Sequence, residues 1–97
     1  MDTDLEIMKS AASAATEIDV KYRVATFADK IKLKPERDKA FNAYAQARLK
    51  LLEDGMISTE ADLQTMQEIK TEVQQARDTQ TLILGIGKLV GFLTKFV

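Results

Sequence analysis

Cysteine, histidine and tryptophan are absent from this 97-residue chain, and proline occurs once, as Pro35. Without cysteine there is no disulfide framework, no thiolate nucleophile and no thiolate metal site. Without histidine the chain lacks the side chain most used as a general base and the commonest metal ligand. A Glu-x-x-His pair of the kind that builds di-iron bundles is therefore excluded. Catalysis would fall to paired carboxylates, a lysine of depressed pKa or an activated hydroxyl, and the acids are scattered with no pair set apart. The sequence reading is a non-enzyme with no cofactor and no metal.

Glycine is scarce too, at four residues, and its placement excludes two ligand loops. Gly85-x-Gly87-x-x-x-Gly91 sits in an apolar stretch and follows no predicted strand, so it is not a dinucleotide-binding turn. If Gly55 were the central glycine of a calcium loop, Lys50, Leu52 and Ala61 would occupy positions that need oxygen ligands. Long apolar runs are missing: nothing approaches the ~18 uninterrupted residues of a membrane span. The acidic start, Met1-Asp-Thr-Asp-Leu-Glu, lacks the charged-then-apolar pattern of a secretory signal. The expected location is cytoplasmic or within a larger assembly, with a membrane-peripheral position as the alternative.

What is present is helix-forming. Apolar residues make up 45% of the chain and charged residues 30%, an ordered composition. The length allows one small domain, and few breakers among many Ala, Gln, Lys and Glu predict an all-α fold. Four segments emerge. The first is a long N-terminal helix over about 3–32, with Thr3 and Glu6 spaced as a capping box. Leu5, Met8, Ala12 and Ala15 form its early stripe. Later Ile18, Tyr22 and Ala25 lie on one side, and Val20, Val24, Phe27 and Ile31 make a second stripe well round the helix. That second stripe is the candidate self-association surface, since one partner helix covers only one stripe.

Segments two (about 35–54) and three (about 59–80) predict a helical hairpin. Pro35 suits a first helical position, Gly55 a C-terminal cap, and Ser58 or Thr59 an N-cap followed by Glu60 and Asp62. Ala40, Phe41, Tyr44, Ala45, Ala47, Leu51 and Leu52 form the apolar face of one arm; Leu63, Met66, Ile69, Val73 and Ala76 that of the other. Segment four, 81–97, is strongly amphipathic on a 100° wheel. Leu82, Ile86, Leu89, Val90, Phe92, Leu93, Phe96 and Val97 share one side, Lys88 and Lys95 lie opposite, and Leu84 is misplaced. Within the single domain this tail is the candidate contact with a partner or a membrane. At about 26 Å it is short for a span but suits an interfacial helix.

Charge comes in blocks although the formal total is only −1. Residues 1–19 hold five acids and one base, 20–50 nine bases and three acids, 51–80 seven acids and two bases. A basic second arm is expected to dock on an acidic third, and the same alternation lets one subunit's acidic block meet another's basic block. Lys30, Lys32, Lys34, Arg37 and Lys39, flanked by Phe27 and Phe41, are the one candidate nucleic-acid surface. The near-zero net charge and the acidic third segment argue against that partner. The stretch Leu49-x-x-Leu52-x-x-Gly55-x-Ile57-Ser58 is similar to the short helical hairpin of the SHOCT domain. That family's Glu-Phe, six and seven residues after the glycine, is Ala61-Asp62 here, with Leu63 one residue late, and the resemblance implies nothing further.

The reading is thus a non-catalytic helical structural or assembly protein that forms a homo-oligomer and docks its amphipathic tail onto neighbouring subunits. A virion, an ejection apparatus or a secretion assembly would be natural settings. The alternatives are a peripheral membrane-binding or membrane-permeabilising protein acting through 81–97, and a small helical inhibitor of another protein.

Overall fold

The computed structural model describes residues 2–55 and 57–97, including every side chain among them except that of Asp54. Four helices follow one another: α1 (Thr3–Val24), α2 (Phe27–Asp54), α3 (Glu60–Gln75) and α4 (Thr79–Leu93). The last tightens into a 3₁₀ turn at Thr94–Phe96. The all-α expectation holds.

Direct contacts give the topology. At the start of α1, Asp4 accepts the Ser58 amide just ahead of α3, at 3.0 Å. Near the end of α1, Lys21 Nζ donates to the carbonyls of Gln74 (3.1 Å) and Ala76 (2.6 Å) at the end of α3. These two helices therefore run parallel as neighbours. The two-residue link Ala25–Thr26 and the Arg37–Asp19 contact make α1 and α2 antiparallel neighbours. Lys88 on Glu72 and Lys95 on Asp62 do the same for α3 and α4. The helix α2 packs beside α4, whereas among the described residues no Cα of α2 comes within 8 Å of one in α3. The bundle is two hairpins, α1–α2 and α3–α4, laid side by side. The expected hairpin of segments two and three is corrected accordingly. Its arms are consecutive but diagonal, and the described residues between them, 55 and 57–59, lie at the end of the bundle where α1 starts.

Three boundaries move from their expected places. First, the long helix over 3–32 breaks at Ala25 and Thr26, both extended (ψ 159° and 162°), and the Thr26 hydroxyl accepts the Asp29 amide. Register forces this. Asp19 meets Arg37, and Leu5 and Met8 lie beside Leu51 and Leu52. A turn beside Pro35 would slide α1's apolar residues past the end of α2. Pro35 accordingly sits inside α2, where it removes one amide at a typical cost of ~3 kcal/mol. The carbonyl left over belongs to Ile31 on the exposed side, and Leu33 before the proline and Ala40, Ala43, Ala47 and Leu51 after it stay buried. Second, the N-cap of α1 is Asp2, accepting the Leu5 amide at 3.2 Å, so the Thr3–Glu6 capping box does not form. Third, α3 ends at Gln75 and α4 starts after Asp78, which accepts the Thr81 amide at 2.7 Å.

Other terminal signals perform as expected. Thr59 and Asp62 form a reciprocal capping box. Gly55 adopts φ +59°, a value side chains rarely tolerate, as it ends α2. One apolar cluster runs through all four helices. Ile7, Ile18, Leu33, Met66, Val73, Ile86, Leu89 and Leu93 are its fully buried bulky members, and Ala11, Ala14, Ala40 and Ala47, all at 0%, bring the backbones close.

Candidate functional site

The tail residues expected to meet a partner or a membrane are in the chain's own core. Leu82, Ile86, Leu89, Phe92, Leu93 and Phe96 are buried and Val90 is half-buried against them. Phe92 and Phe96 pack edge to face, 5.3 Å between centroids, and Lys95 lies over both rings while bonding Asp62 at 2.5 Å. The correction has a simple cause. The α4 stripe at 82, 86, 89 and 93 meets the equally regular α3 stripe at 63, 66, 69 and 73, with α2 on the other flank. Val97 and Leu84 stay exposed. No helix among the described residues is long and apolar enough to cross a membrane.

Carboxylates that might have served chemistry are engaged in structure. Asp4, though buried, accepts the amides of Ile57 and Ser58 and the Ser58 hydroxyl, fastening the diagonal crossover to α1. Arg23 and Arg37 both bond Asp19 (2.8 and 2.7 Å), holding its carboxyl below the ordinary aspartate range. Lys34 does the same for Asp38, with Arg37 assisting. Those partners raise the pKa of Lys34 and of Arg37 in return. The hydrogen bond from Lys95 lowers Asp62, with the Thr59 amide adding to it. Asp78 is lowered by the amide it caps at Thr81. Among the described residues no three acids gather into a metal-binding group.

Among the described residues the acidic third segment thus finds its cations on α4, at Lys88 and Lys95, and not on the basic second segment, which lies diagonally across. Of the basic cluster, Lys34 and Arg37 pair with aspartates and Lys39 with Glu36, while Lys30 and Lys32 make no ion pair among the described residues. Phe41 does not offer a bare stacking face, because the Arg37 guanidinium lies 4.9 Å from its centroid.

What the molecule presents outward is apolar at both ends. At the end carrying the two tight turns, the turn end, the candidate self-association residues are all exposed: Val20 47%, Val24 79%, Phe27 80% and Ile31 62%. They are not one helical stripe, since the break at 25–26 puts two on α1 and two on α2. At the opposite, crossover end, Leu5, Leu49, Leu52 and Ile57 are exposed. Leu5 and Leu52 flank a groove of about 320 Å³ floored by Met8 and Leu51 and edged by Asp2, Asp4 and Arg48. Sequence reasoning missed this groove because it assigned Leu5 and Leu52 to buried stripes. The available signal was that Ile7, Ala11, Ala14 and Ile18 fit the 3-4 spacing at least as well as the stripe begun at Leu5.

No family model matches the sequence, no curated protein is similar to it, and no solved structure matches the fold. The functional reading rests on this geometry.

Proposed function

We infer that this chain is a non-catalytic helical assembly protein whose work is association with copies of itself, through the ends of the bundle and not through the face of its tail. The observation that carries the reading is the Val24–Phe27–Ile31 group, three large apolar side chains between 62% and 80% exposed around one turn. Single exposed apolar residues need no explanation. A cluster at a bundle end, in a chain that buries its other stripes well, is the usual mark of a contact surface. A core already closed over Leu33, Ile86 and Leu93 leaves the ends as the apolar surface available to a neighbour.

The test is mass in solution. Sedimentation of the whole chain at rising concentration should show a mass that climbs above the 10.8 kDa monomer. A mass that stays at the monomer value while the helical signal melts cooperatively would refute self-association.

A further inference from the structure

Resting on that reading, we propose that the contact is head-to-tail: the turn end of one copy seats in the crossover end of the next, with Phe27 entering the groove between Leu5 and Leu52. Three observations carry this. The first is shape. Phe27 stands 80% exposed at the first turn of α2, and the crossover end has a groove of about 320 Å³ with an apolar floor, room for an aromatic side chain.

Charge is the second. Residues 20–34 and 73–83, which build the turn end, hold six bases and two acids. Residues 2–10, 48–62 and 91–97, which build the crossover end, hold seven acids and four bases. Two turn ends repel, two crossover ends repel, and unlike ends attract. Among the described residues Lys30 and Lys32 at the turn end have no ion-pair partner, which leaves both for a neighbour's carboxylates.

Direction is the third. Both ends lie at opposite poles of a body 41 Å long and only 21 × 17 Å across its Cα atoms. A contact between unlike poles is heterologous, so it repeats into a line or ring instead of stopping at a pair. An end face of that size is smaller than the ~800 Å² per partner of a standard stable interface. Each contact is accordingly weak, and assembly depends steeply on concentration and on salt.

Two variants at exposed positions test the pairing without disturbing the core. Phe27→Asp blocks the turn end, and Leu52→Lys blocks the crossover end; matching thermal melts establish that both fold. By sedimentation from about 10 μM to about 1 mM, wild type should grow, and each variant alone should stay monomeric. Their equimolar mixture should form a species of twice the monomer mass and no larger, since each contributes its one intact end. Raising salt from about 0.05 M to about 0.5 M should weaken the mixed pair severalfold. If Leu52→Lys alone still self-associates, turn end meets turn end. If Phe27→Asp alone does, like crossover ends meet. Either result overturns the head-to-tail pairing while self-association stands. A wild type that stays monomeric throughout removes both. Flotation of that monomer with phosphatidylserine vesicles, lost in Phe27→Asp, would assign the turn end to an anionic lipid surface instead.

Discussion

Val20, Val24, Phe27 and Ile31 are spaced in the sequence as one apolar stripe, and Leu82, Ile86, Leu89 and Leu93 as another of comparable spacing and size. The second lies almost wholly out of water and the first stands between 47% and 80% exposed. Hydrophobicity alone does not separate them. The tail stripe stays on one unbroken helix and finds α3 and α2 at matching spacing on its two flanks. The other stripe is cut by Ala25 and Thr26, so its halves end on different helices and neither half faces a partner. Burial therefore goes to the stripe whose helix has two complementary neighbours in register.

The contrast is broken or sharpened most strongly by placing the same carboxylate in each stripe. Leu93→Asp puts a charge at a fully buried site and should cost about 4 kcal/mol or more, enough to unfold a small domain. Ile31→Asp, at a 62% exposed position, should stay within about 0.5 kcal/mol. Urea titration followed by circular dichroism reads both, and equal losses would show that the two stripes are equally buried.

A smaller effect distinguishes the inner and outer sides of the tail itself. Gly87 lies mid-helix with open space where a side chain would begin, whereas a Cβ on Gly85 would sit 3.3 Å from Val73 Cγ2. Gly87→Ala should therefore stabilise by about 1 kcal/mol through helix propensity. Gly85→Ala should gain less, or lose, as Val73 must yield. Thermal melts that rank them the other way would contradict the α3–α4 packing.

The smallest effect is electrostatic. The Lys95 hydrogen bond lowers the Asp62 pKa in the folded protein. A depressed carboxylate adds stability that is fully present above its unfolded value, about 4, and is lost as pH falls through the folded one. Lys95→Met should thus be less stable than wild type at neutral pH, with the gap closing below about pH 4. A gap that does not change with pH would mean that Lys95 holds the tail through its contacts with Phe92 and Phe96 and not through charge.

Legibility in the sequence followed the range of the interaction involved. Thr59, Asp62 and Gly55 announce their roles because caps act within a few residues of themselves. The α3 stripe at 63, 66, 69, 73 and 76 was readable in full, since every member is buried. Pro35 misled because an N1 proline and a proline tolerated inside α2 carry the same local signal. Only the packing of Leu33 ahead of it and Ala40 behind it shows which applies. Leu5 and Leu52 were misread in the same way, as 3-4 spacing alone does not say which of two adjacent stripes turns inward.

By itself the sequence determined that the chain is helical, where α2 ends and α3 begins, which face of α3 and of α4 is apolar, and that ordinary histidine or cysteine chemistry is out of reach. Those properties are set by neighbours within about a turn of helix, 5.4 Å along the axis. Tertiary structure alone decided that α2 and α3 lie diagonally, that the chain reverses at Ala25–Thr26, and that the tail closes the core while Phe27 is left in water. Each of those outcomes depends on register between helices far apart in the chain, where competing pairings differ by a few side-chain burials of about 1.5–3 kcal/mol each. No local pattern carries that difference.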